Sequence, residues 1–199
     1  MARDENAPFG LGETYFQGNT PNTTDGNHIL GKVWVFEDID LAASGTGGTM
    51  KPKRTNHARR MMAVRNTTGS ALLPKRLGKI KNNGSAYEFG QEIDGYADAV
   101  TEIGYPIDEF LPAAGVADDD ICWVCVGGPA TVTTDGSGDT NISIGAAVIP
   151  ATDGKVVDQV VAEDDADIFT QLSSSPGRAM KAVNAINTDF VIFVHPRLF

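Results

Sequence analysis

The run Ile121-Cys122-Trp123-Val124-Cys125-Val126, followed by Gly127-Gly128-Pro129 and then Ala130-Thr131-Val132-Thr133, sets the reading of this chain. It is too short for a buried helix and rich in side chains that fill a pleated surface, so it predicts a strand buried on both faces. Gly127-Gly128-Pro129 predicts a break before a second strand. Side chains alternate along a strand, so Cys122 and Cys125, three apart, point to opposite faces. The Cys-x-x-Cys therefore neither closes on itself nor shares a metal. With no second cysteine pair to complete a zinc cage, both thiols are expected in the core.

The same pattern recurs on either side. Val33-Trp34-Val35-Phe36 predicts a strand ended by Glu37-Asp38-Ile39-Asp40. Arg59 to Arg65 and Ala71 to Lys81, around Asn66-Thr67-Thr68-Gly69, predict a β-hairpin. Tyr87 to Val100 predicts one or two short strands, and Tyr105 to Pro112 a Pro-bounded connection. Asn141 to Ile149, Gly154 to Val157, Gly177 to Val183 and Asp189 to Val194 predict four more strands, with a short helix near Asp164 to Leu172. Short strands with Gly at their ends argue for an all-β fold, a small β-barrel or sandwich with an extended N-terminal arm and long loops. The arm is residues 1–30, and the β-rich domain is residues 31–199 with a basic loop and hairpin at 51–81. The arm is rich in Gly, Asn, Thr and Pro and carries isolated aromatics at Phe9, Tyr15 and Phe16. By itself it buries too little to offset its ordering entropy, so a partner is expected to order it.

Charge is segregated. Residues 51–81 hold ten of the sixteen Lys and Arg and no Asp or Glu, while the chain carries a net −10. Like charges repel within each pole, which makes sense where one copy's basic face meets an acidic surface. The competing reading is a solvated hairpin whose charges neutralise nearby acidic loops. No stretch approaches the roughly 20 apolar residues of a membrane helix. The first residues lack the apolar core of a secretory signal, so the protein is expected in the cytosol or in a particle assembled there.

Motifs for chemistry are sparse. His28, His57 and His195 lack the i, i+4 spacing of a helical metal site, and no nucleophile elbow or phosphate-cradling loop occurs. Asp118-Asp119-Asp120 and Glu163-Asp164-Asp165 lack the alternation, Gly and distal Glu of a calcium loop, and read as solvated charge. The basic hairpin is not studded with aromatics and the rest of the chain repels phosphate, so direct nucleic-acid binding is not expected. No catalytic residue, metal or cofactor is assigned. A small β-barrel enzyme would need a deep polar pocket at the barrel mouth, and a carbohydrate module an exposed aromatic platform.

Val126-Gly127-Gly128-Pro129-Ala130-Thr131-Val132, Ile142-Ser143-Ile144-Gly145, Asp153-Gly154-Lys155-Val156, Gly177-Arg178-Ala179-Met180-Lys181-Ala182 and the terminal apolar strand follow one another in order. With the Arg65 to Pro74 segment, this order resembles the small β-barrel head decoration proteins of tailed bacteriophages, over roughly residues 59 to 199. The resemblance implies a non-enzymatic virion protein on the capsid surface that clamps capsomers against internal pressure. Its expected partners are the major capsid protein and other copies of itself, a trimer being one arrangement. In that role Lys51, Lys53, Arg54, Arg59, Arg60, Arg65, Lys75 and Arg76 would form salt bridges on an acidic surface. Phe9, Tyr15 and Phe16 would fill apolar pockets. A tail or head-tail junction protein is the alternative, separable by copy number per particle.

Overall fold

The computed structural model of this chain describes residues 7–15, 29–39, 53–81, 91–135, 141–159 and 174–195. The strands are β1 (Val33–Ile39), β2 (Lys53–Asn66), β3 (Leu77–Ile80), β4 (Glu92–Tyr96), β5 (Gly104–Pro106), β6 (Ile121–Thr133), β7 (Asn141–Ile142), β8 (Ala147–Ala151), β9 (Lys155–Asp158), β10 (Gly177–Ala179), β11 (Val183–Asn184) and β12 (Asp189–Val194). The fold is all-β. Ten strands form one sheet in the order β5-β3-β4-β2-β6-β12-β10-β8-β9, with β1 also on β2, while β7 and β11 form a separate two-stranded ribbon. The sheet curls: the 3-10 turn Thr152–Gly154 before β9 reaches round to β4's end, where the Gly154 N–H donates to Asp98 at 3.0 Å.

The expected break at Gly127-Gly128-Pro129 is a change of partner within one continuous strand. Up to Gly127, β6 pairs with β2 on one side; from Gly128 to Thr133 it pairs with β12 on the other. The register shifts by one residue at the handover, as a bulge does, and Gly128 takes φ +92° there. A side chain at Gly128 would collide with the Ala58 carbonyl, so Gly is required both for the angle and for the approach of β2.

The expected hairpin between Arg59–Arg65 and Ala71–Lys81 does not form. β2 pairs with β1, β4 and β6, whereas β3 pairs with β4 and β5. The reason lies in Asn66, whose amide donates to the carbonyls of Ser70, Val116 and Ala117 at 2.7, 3.0 and 3.1 Å. This directs the chain after β2 towards Val116, which exchanges two backbone hydrogen bonds with Leu72. The edge left beside Arg65 and Asn66 is taken by β4, in parallel. The expected single strands Asn141–Ile149 and Gly177–Val183 are each divided by a turn into β7 and β8, and β10 and β11. The helix expected near Asp164 to Leu172 lies outside the described residues.

Alternation on β6 divides two cores. Ile121, Trp123 and Cys125 face a larger core with Phe36, Met61, Ala63, Val132, Val148, Val156 and Ile192. Cys122, Val124 and Val126 face a second core with Met62, Val64, Leu72, Ile93, Tyr105 and Ile107. The two cysteines thus lie on opposite faces, as their spacing requires, and both are free thiols.

The described part of the arm belongs to the larger core. Ala7, Phe9, Leu11 and Ile29 are buried there, and the Phe9 ring stacks on Trp123 at 4.4 Å. Tyr15 exchanges backbone hydrogen bonds with Ile121. Burial of a side chain such as Phe9 or Leu11 contributes about 1.5–3 kcal/mol, which offsets the ordering that composition alone could not. For these residues the ordering partner is the chain itself rather than another molecule.

Candidate functional site

Two arginines of the basic segment meet two carboxylates inside the fold. Along β1, Trp34, Phe36 and Asp38 share the inward face; along β2, Arg59, Met61 and Ala63 do, and Phe36 stands opposite Arg59. Arg59 donates through Nε to Asp38 at 2.7 Å and through Nη2 to Glu109, and its guanidinium lies 5.0 Å from the Phe110 ring centre. Arg54, at the rim, reaches the same two carboxylates: Nη2 lies 2.9 Å from Asp38 Oδ1 and from Glu109 Oε1, and Nη1 is 3.0 Å from Glu109 Oε2. Nη1 also donates to Thr131 on β6 at 3.1 Å. Burial opposes the charge on Arg59, but the carboxylates of Glu109 and Asp38 outweigh it and raise its pKa. The cleft between this cluster and Asp108, Cys125 and Ala130 leaves no room for a water molecule. Two cations and two anions, mutually bonded and buried except where Arg54 reaches the rim, form a brace joining β1, β2, β6 and the 108–110 turn.

Asp108 is buried next to this brace and clamps the arm. Its Oδ2 accepts the Gly12 N–H at 2.6 Å and its Oδ1 the Phe110 N–H at 3.1 Å. Burial pushes its carboxyl up to about 6, against these hydrogen bonds and the Arg59 charge. The unfolded carboxyl titrates near the ordinary value of about 3.9. The folded state therefore keeps the proton to higher pH, and the associated stability is fully present below about pH 4 and lost as pH rises through about 6. Relative to Asp108→Asn, whose amide does not titrate, the native chain should lose up to about 3 kcal/mol between about pH 4 and pH 7. Denaturant unfolding of both chains across that range checks this. A difference that stays constant, or runs the other way, would contradict it.

The remaining expected contact residues occupy different settings. Arg65 is buried and donates to the Asp119 carbonyl, and Lys75 pairs with Asp189; beyond the expected residues, Lys79 and Lys81 of the same segment pair with Glu102 and Glu92. Together with Arg54 and Arg59, at least five of the ten cations in 51–81 pair with acids of the same chain, which favours the competing reading of charges neutralised by nearby acidic loops over a basic pole awaiting an outside surface. Phe9 and Arg59 are likewise occupied internally, and Tyr15 is half buried against Ile121. Arg76 is half buried, and its Nη1 has no hydrogen-bond partner among the described residues. Arg60 alone among the expected arginines is exposed with no ion pair among the described residues. Phe16, Lys51 and the side chain of Lys53 lie outside the described residues.

Arg60 stands opposite Val35 on β1, and Val33 and Val35 are 48% and 50% exposed. This outer face of the β1–β2 pair continues to Glu37 and Ala58, which stand opposite each other and are both exposed. It is an apolar strip with Arg60 on one side and Glu37 at its end, and exposed apolar area of this kind marks contact surfaces. The expected list omitted Val33 and Val35, although their alternation with Trp34 and Phe36 placed them on the outer face.

The other groups weighed for chemistry sit as follows. Burial pushes the Cys125 thiol up to about 12 and the Cys122 thiol higher still, so both stay protonated. Asp118 accepts the Gly69 N–H, and Asp120 is buried near the Thr14 hydroxyl. His57 is exposed, edge-on to Phe193 at 5.1 Å. Among the described residues, no three His, Cys, Asp or Glu converge as metal ligands would. His28 and the Glu163 cluster lie outside the described residues.

No protein-family profile matches the sequence. No curated protein matches it. Among solved structures, the chain is similar to the head fiber gp8.5 N base of bacteriophage phi29, at 17% identity and a TM-score of 0.41 over 68% of this chain and 93% of that one. A likeness that loose defines no shared role.

Proposed function

We propose that this chain is a structural component of a tailed-phage head that binds the outer capsid surface and cements the capsomer lattice. The observation that carries the reading is the β1–β2 outer face, where Val33 and Val35 are about half exposed beside Arg60, which has no ion pair among the described residues. A strip of this kind fits an apolar ridge that sets a carboxylate against Arg60 and a cation against Glu37, and the major capsid protein is the partner assigned to it. The order of turn and strand motifs from Val126 to the terminal strand supports the same assignment. The buried arginine brace then serves rigidity, and the protein acts by contact rather than by catalysis.

The arm's part in this function is narrower than its composition suggested. Deleting residues 1–30 removes Phe9, Leu11 and Ile29 from the core, so loss of capsid binding on truncation would report unfolding rather than docking. Point changes on the exposed strip separate the two. Native protein added to expanded capsids lacking it should raise their disruption temperature. Val35→Asp with Arg60→Glu should weaken binding roughly tenfold or more without altering the chain's own unfolding midpoint. Capsid stability unchanged at saturating protein, or full affinity in the double variant, would reject the assignment.

A further inference from the structure

Two further surface patches are complementary to each other and too far apart to meet within one molecule. The first lies where the turn Ser143–Ala146 meets β10. Gly145 has φ +81°, and Ile144 at the turn's corner is 72% exposed. Hydrogen bonds from Gly145 N–H to the Ala179 carbonyl and from Ala179 N–H to the Ala146 carbonyl, at 2.8 and 2.9 Å, set exposed Met180 alongside. Arg178 is tethered over the turn by its Nη1, 2.9 Å from the Gly145 carbonyl. Lys181 is exposed with no ion pair among the described residues. Neither 141–151 nor 174–188 contains an Asp or Glu.

The second patch is acidic. The Glu102 N–H donates to the Ala99 carbonyl at 2.9 Å, closing a turn that leaves Val100 and Ile103 38% and 44% exposed. Asp98 accepts the Gly154 N–H, which brings exposed Asp153 beside it. Lys79 neutralises Glu102, but Asp98 and Asp153 have no cation among the described residues. The two patches lie beyond opposite ends of β8, and at about 3.3 Å per residue its five residues hold them some 17 Å apart.

We propose that copies of this chain associate head to tail, with the Ile144, Met180, Arg178 and Lys181 patch of one docking on the Val100, Ile103, Asp98 and Asp153 patch of the next. Each copy then offers one surface of each kind, a heterologous contact that closes into a ring or extends along a lattice. A chain of net −10 repels its own copies in general, so association depends on this local match. The proposal deepens the assembly reading by naming the contact. Its test uses the isolated chain, so its failure and a failure of capsid binding are separate results.

Sedimentation of the full chain over a concentration series at low salt should show reversible association that weakens as salt screens the exposed charges. Arg178→Glu with Lys181→Glu should weaken it roughly tenfold or more, and adding Asp153→Lys to that variant should restore much of the loss. Ile144→Ser, at a bare corner where folding is unaffected, should weaken it without changing charge. A chain that stays monomeric at every concentration, charge reversal with no effect, or reversal that Asp153→Lys does not relieve would each overturn the proposal.

Discussion

Arg59→Met should lower the unfolding free energy by about 3 kcal/mol, the lower end of the range for removing one partner of a buried ion cluster. The Met side chain replaces most of the volume, so the effect is electrostatic. Asp38 is fully buried and Glu109 nearly so, and without Arg59 both depend on Arg54, which sits at the rim. The lower end applies because Arg54 still touches both carboxylates. Neutralising the orphans with Asp38→Asn and Glu109→Gln in the same chain should recover part of the loss. Urea unfolding near neutral pH measures it. A loss below about 1 kcal/mol, the size of an exposed pair, would mean that the brace is solvated rather than dry.

Trp123→Ala should be at least as damaging, at about 3–5 kcal/mol, and should also free the arm. Trp123 is fully buried, stacked on Phe9 at 4.4 Å and met edge-on by Trp34 and Phe36 at 5.2 and 5.4 Å. Removing the indole takes the surface from under Phe9 and hollows the larger core where the arm, β1 and β6 join. Thermal unfolding reads the global loss, and limited proteolysis reads the arm. If residues 7–15 stay protected in the variant, the Asp108 clamp and the Tyr15–Ile121 pairing hold the arm without the aromatic stack.

What the sequence disclosed followed from local periodicity. The strand Asp189–Val194 and the buried run from Ile121 are present as expected, and the alternation that separated Cys122 from Cys125 also divides the two cores. Partner choice was not legible. An Asn-to-Gly turn between apolar runs is a local hairpin signal, but the Asn66 amide engages the Val116 segment, fifty residues on, and nothing near it in sequence announces that. The pairing within the basic segment shows only when charge is read by strand face rather than by stretch. Counted by twos, Arg59 falls in line with Met61 and Ala63, and Asp38 with Trp34 and Phe36. A cation and an anion on the inward faces of two strands already suggested a buried pair. Glu109, supplied by a distant turn, left no such trace.

The handover within β6 has a mechanical consequence. β2 grips the strand only up to Gly127 and β12 only from Gly128, so the two flanks of the sheet are joined at that point by the covalent backbone. Tension drawn across the sheet passes through peptide bonds there, and yielding requires one antiparallel ladder to slide along its whole length. A sheet built on such a strand resists being drawn apart across its flanks better than one whose halves meet only through hydrogen bonds.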